Sequence, residues 1–241
     1  MTPFAVTLHP FDEDEAVATV FPSAVRGDAL FPRAFDSPEA RDFAARWLPR
    51  MRDAWAALRE GDGGPWASVV SFATGVLAGF SHPVYFLGDL GLSYWRGPGE
   101  CPLRTYTRPM AVLAARVPEL GAAVSEIPDG FAGAGSAGAF VPATGVVILL
   151  REIERRPGHL AERLDRAGYD AVGALATLLE CLHYARSRRL GVLELTNAVD
   201  ASERLALFPV ANLRGGWRGG LLPEARARVE AALSADAPLQ G

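Results

Sequence analysis

The sequence predicts an α+β fold, several helices packed on a small mixed or antiparallel sheet, and three observations predict it. Phe4, Val6 and Leu8 alternate with Ala5, Thr7 and His9, the two-residue period of a half-buried strand. Phe43, Trp47, Met51, Trp55 and Leu58 recur at spacings of three and four, which gathers them into one apolar stripe along a helix. Strand-like and helix-like segments follow one another irregularly instead of as β-α-β units, which argues against a doubly wound parallel sheet. At 241 residues, 49% apolar and 22% charged, the chain is long enough for one domain with its own core. A single domain over 1–241 is expected, with two lobes, 1–129 and 140–241, joined by the Gly-rich loop 130–139 as the alternative.

Along the chain, Pro10 is expected to end the first strand, and Pro22, Gly27 and Pro32 make 22–37 an irregular connection. Ser37-Pro38-Glu39 is a helix start, combining a cap, a proline at the first helical position and an early acid. That helix is expected to run to about Glu60, with Pro49 as the point where it would break, and the glycines from Gly61 to Gly64 stop it. Residues 66–80 carry no charge, but the stretch is shorter than the roughly 20 residues a membrane span needs, so it reads as a buried core helix. Within it, Gly75 and Gly79 permit close approach of a second backbone. Segments 84–87 and 103–107 read as short strands around the Gly97-Pro98-Gly99 turn, and 110–117 fits either a strand or a helix.

Segments 146–155 and 159–166 read as helices, with Glu152/Arg156 and Glu162/Arg166 at the four-residue spacing. Asp170 caps a helix whose buried face is Val172, Leu175, Leu178, Leu179 and Leu182. Arg186, Arg188 and Arg189 occupy its last turn, where cations suit the negative end of the dipole, and Gly191 is the expected left-handed stop. Strands at 192–196 and 205–210 and a terminal helix over 223–233 complete the reading.

Composition excludes several functions. All 24 basic residues are arginine, so no lysine is present for a Schiff base, a P-loop or a kinase strand. A net charge of −4 gives no global field for nucleic acid or an anionic membrane. The bias toward Arg, Ala, Gly and Pro is that of a GC-rich bacterial genome. A start without a basic, apolar leader, and two cysteines without metal-knuckle spacing, suit a reduced cytoplasm.

Four signals touch chemistry. Gly133-Ala-Gly135-Ser-Ala-Gly138 matches the dinucleotide fingerprint in letters, but neither a strand precedes it nor a helix immediately follows it, so a loop able to close over a ligand is the expectation and no cofactor is implied. Glu180-Cys-Leu-His183 has the helical spacing of di-iron sites, which need a second such motif that the chain lacks. The expected role of Glu180 and His183 is a hydrogen-bonded pair at the core edge, with no metal. Cys101 lies beside Arg96, a cation that lowers a thiol pKa, with His82, His159 or His183 as candidate bases. Tyr85, Tyr94, Trp95 and Tyr106, interleaved with Arg96 and Arg104, have the composition of an apolar pocket or a partner-binding surface.

These features favour a binding protein, an accessory, immunity or regulatory module that recognises a protein partner or a small apolar ligand. The alternative is an enzyme drawing acid, base or nucleophile from His82, Cys101, Glu180 and His183. A third reading is conditional membrane insertion through 63–88 and 130–150.

Overall fold

Six consecutive buried residues, Val6–Phe11, form the middle strand of the sheet (β1). In the computed structural model, which describes residues 6–27, 37–88, 90–93, 95, 97–126, 139–196, 217–219, 227, 229–231, 233 and 234, β1 is flanked by β2 (Val84–Gly88) and β4 (Gly191–Thr196), both antiparallel to it. The two-residue β3 (Phe140–Val141) extends the sheet beyond β4, and β5 (Trp217–Gly219) pairs parallel with β2, giving the order β3-β4-β1-β2-β5. The strand is not half-buried as its alternation suggested, because helices cover both faces of the sheet. Pro10 does not end it either. Pro10 pairs with Val192 of β4 but lies beyond Leu8, the last residue paired with β2, so its missing N–H falls where one edge has no ladder to break.

The strand Pro10 was expected to end leads directly into helix. Asp12 Oδ1 accepts from the N–H groups of Asp14 (2.9 Å) and Glu15 (3.0 Å), starting α1 (Glu13–Glu15). One π-helical stretch, Ala16–Val20, then leads into α2 (Phe21–Arg26). Residues 22–26 are therefore helical, not irregular. The wider turn carries the Phe21 N–H to the Ala16 carbonyl, five residues back, and so admits Pro22, which has no N–H to give.

Ser37 Oγ accepts from Ala40 N at 3.0 Å and starts α3 (Pro38–Arg59), which buries Phe43, Ala44, Met51 and Leu58. Pro49 does not interrupt it, since it sits on the exposed side where water meets the freed carbonyl. The uncharged stretch is α4 (Gly63–Ala78), wedged between α3 and the sheet. Segment 103–107 is not a strand: Arg104–Tyr106 is a 3-10 turn, and among the described residues the only pairing nearby is the bridge Arg108–Phe140. The ambiguous 110–117 contains the short α5 (Ala111–Ala114).

On the opposite face lie α6 (Ala143–Arg155), α7 (Pro157–Arg166) and α8 (Ala171–Arg188). Glu13 reaches across from α1 and accepts from Ala143 N at 2.6 Å, capping α6 in place of Pro142. Glu162 and Arg166 meet at 3.8 Å, whereas Glu152 and Arg156 do not pair among the described residues. Asp170 caps α8 by accepting from Gly173 N at 3.0 Å. The left-handed stop is Arg189 (φ +59°), not Gly191. Gly191 is needed for close packing instead: a Cβ there would lie 3.0 Å from both Glu13 Oε1 and the Phe11 ring, and 3.2 Å from the Val141 carbonyl.

The core is thus two apolar layers on one sheet. Phe11, Phe140, Leu193 and Leu195 face α3 and α4, while Val6, Leu8, Tyr85, Val141 and Val192 face α6, α7 and α8. Strands before residue 130 and after residue 139 share that sheet. Loop residues 130–138, the 205–210 strand and most of the 223–233 helix lie outside the described residues, although Val229 packs into the second layer. No helix among the described residues is long and apolar enough to cross a membrane. Removing either side-chain cap, by Ser37→Ala or Asp170→Ala, is expected to cost about 1 kcal/mol, read as a lowered urea midpoint with an unchanged slope.

Candidate functional site

A cleft opens where the turn between β1 and α1 faces the end of α4. Phe11, Ala16, Val20 and Leu77 form its floor, and Asp12, Glu15, Ser81 and His82 its rim, around a space of 330 Å³ that includes the open mouth. The sequence Gly79-Phe80-Ser81-His82-Pro83 places His82 there. The last turn of α4 tightens, with Ser81 N donating to Ala78 O (3.0 Å) and His82 N to the same oxygen (2.8 Å), and Pro83 cannot extend it.

His82 shares a hydrogen bond with Tyr184 of α8, Nδ1 to hydroxyl 3.1 Å. The Arg188 guanidinium stands 5.0 Å from the centre of the Tyr184 ring, and Tyr85 approaches the same ring from the core at 6.4 Å. Burial lowers the His82 pKa below its ordinary value and the Arg188 charge lowers it further, partly offset by Asp12. The ring is therefore neutral near pH 7, between an acidic edge and a basic one.

The thiol candidate lies elsewhere. Cys101 is buried, and its Sγ donates toward the carbonyls of Leu92 (3.4 Å) and Gly91 (3.5 Å). Burial, above all, pushes its pKa up to about 11. Arg163 lowers the value, but less than desolvation raises it, and Arg96, the arginine expected to activate this thiol, lies outside the described residues. Cys181, fully buried in α8, is pushed up as well. Neither thiol is expected to react with an Ellman-type reagent until the protein unfolds; rapid labelling of folded protein would contradict this.

Glu180 and His183 do not form the expected pair. His183 turns to α6 and meets Glu154, Nε2 to Oε1 3.1 Å, with both side chains about half exposed. No three His, Cys, Asp or Glu side chains converge as a metal-binding set among the described residues.

The aromatic and arginine candidates separate. Tyr85 (2% exposed) and Trp95 (8%) are core residues. Trp95 donates through Nε1 to Gly99 O (3.1 Å) and carries Arg163 at 5.2 Å from its ring. Arg104 is exposed and Tyr106 half-buried on the 3-10 turn, while Tyr94 and Arg96 lie outside the described residues.

Two buried polar groups went unnoticed in the sequence. His9 Nδ1 donates to the Gly75 carbonyl at 2.7 Å and its Nε2 lies 2.9 Å from Thr7 Oγ1; burial keeps the ring neutral, which leaves Nε2 to accept from that hydroxyl. Glu194, on β4, accepts from the N–H groups of Leu92 and Ser93 and from the Ser93 hydroxyl, the latter two at 3.0 and 2.9 Å. A lone acid in the apolar run Val192-Leu-Glu-Leu was the available signal for it. Comparison with protein families, with curated proteins and with solved structures finds no match to this chain.

Proposed function

We propose that this chain is a partner-binding protein, an accessory, immunity or regulatory module, and that it recognises its partner through the surface formed by His82 of the cleft rim with Tyr184 and Arg188 beside it. The observation that carries this reading is the separation of the reactive side chains. Cys101 is buried with a raised pKa, His183 is paired on an exposed helix face, His9 is locked in the core, and His82 has none of the others beside it. His82 and the acidic groups of the cleft rim, with Tyr184 hydrogen-bonded to His82 and Arg188 over the Tyr184 ring, make a mixed aromatic and charged surface suited to a protein contact.

Purified protein assayed against esterase, thiol-exchange and redox substrates is expected to show no turnover that His82→Ala or Cys101→Ala removes. Turnover abolished by either substitution would overturn the reading. One observation favours the enzyme alternative: a neutral imidazole at the cleft mouth, close enough to Asp12 to feel its charge, is suited to act as a base. A turnover rate rising with pH through the His82 titration, and lost in His82→Ala, would establish it.

A further inference from the structure

Three arginines crowd the exposed end of α8: Arg186, Arg188 and Arg189. Among the described residues none of them forms an ion pair, whereas Arg26, Arg116 and Arg166 pair with Glu119, Asp14 and Glu162. The helix dipole favours a cation in this turn, but three like charges within four residues repel one another. The dipole also leaves Arg189 unexplained. It is the one described residue other than glycine with positive φ (+59°), a position that glycine occupies without strain. Its side chain is exposed, so no core packing compensates. Strain kept at an exposed residue points to a use for the side chain itself.

We infer that this arginine tip docks an acidic segment of a protein partner. The inference rests on the partner-binding reading and adds the chemistry of the contact. The complementary group is a carboxylate, which a guanidinium grips through paired N–H donors. The tip is small, one helical turn, and acids lie near it: the charges of Arg188 and Asp12 both act on His82, and Asp12, Glu15 and His82 share the cleft rim. A continuous phosphate backbone running past the tip would meet those acids on a chain of net charge −4, whereas a short run of Glu or Asp on a folded partner needs to touch only the tip.

A fluorescein-labelled Glu-rich peptide and its Gln-rich counterpart, titrated at low salt, test this. The Glu-rich peptide is expected to bind the wild-type protein and the Gln-rich one not, with binding weakened by salt. Arg186→Gln/Arg188→Gln/Arg189→Gln should weaken it about tenfold, at roughly two- to threefold per arginine. Arg189→Gly alone should weaken it about threefold while raising Tm by about 2 °C, since it relieves the left-handed strain; a purely structural arginine would not trade stability for binding in this way. Equal peptide affinity in the triple variant, no binding at low salt, or tighter binding of a single-stranded DNA oligonucleotide or of phosphatidylserine vesicles would each overturn the inference. Failure of the partner-binding reading itself would be seen separately, in the turnover assays.

Discussion

Gly75→Val is expected to destabilise the fold by about 3 kcal/mol, a large part of the total stability of a domain this size. A Cβ at Gly75 would lie 2.5 Å from Leu195 Cδ1, 3.2 Å from Leu195 Cγ and 3.3 Å from the His9 ring. Leu195 is buried in β4 and His9 is held by two hydrogen bonds, so neither can withdraw without opening the layer between α4 and the sheet. The same shift would pull the Gly75 carbonyl from His9 Nδ1 and leave a buried donor unmet. Urea denaturation should show the loss, and Leu195→Ala in the Gly75→Val background should recover part of it, because the two side chains compete for one space. A loss below about 1 kcal/mol would mean that α4 does not press on the sheet at this point.

The second large effect is a pH dependence with two opposing parts. Burial lowers the His9 pKa from 6.5 to about 4, so between those values the unfolded chain takes up a proton that the native state refuses. Its contribution is fully present above pH 6.5 and is lost as the pH falls toward 4, amounting to about 3 kcal/mol over the window. Glu194 acts in the other direction. Burial raises its pKa, only partly offset by the hydrogen bonds from Ser93 and Leu92, so the native state takes up this proton first. Its contribution is present below the ordinary carboxylate pKa and is lost as the pH rises through the raised value.

His9→Gln should therefore flatten the loss of stability on acidification, and Glu194→Gln should steepen it. Glu194→Ala is expected to be severe at every pH, at about 3 kcal/mol, because the buried Leu92 N–H and the half-buried Ser93 N–H lose their acceptor. Chemical denaturation at pH 7.5 and 4.5 separates these outcomes. A His9→Gln protein as acid-sensitive as wild type would contradict the assignment.

What could be read in the sequence was local. The caps at Ser37 and Asp170 and the stripe from Phe43 to Leu58 depend on chemistry within a few residues, and they stand in the structure where spacing placed them. What failed depended on distant partners. Pro10 continues a strand because β2 is short, Pro22 enters a helix through a π turn, and Gly191 serves a contact with Glu13 and Phe11 rather than a helix end. The site followed the same rule. His82 was visible, but its companions Tyr184 and Arg188 lie about a hundred residues away, and the aromatic run around it was divided between core and surface by burial that no periodicity reveals.

Native mass spectrometry of the chain isolated from its source cells, wild type beside a folded Arg186→Glu/Arg188→Glu variant, tests the central claim most directly. A protein partner in fixed stoichiometry with the wild type, absent from the variant, is the predicted result. A wild-type chain carrying no protein, or a partner retained equally by the variant, would contradict it.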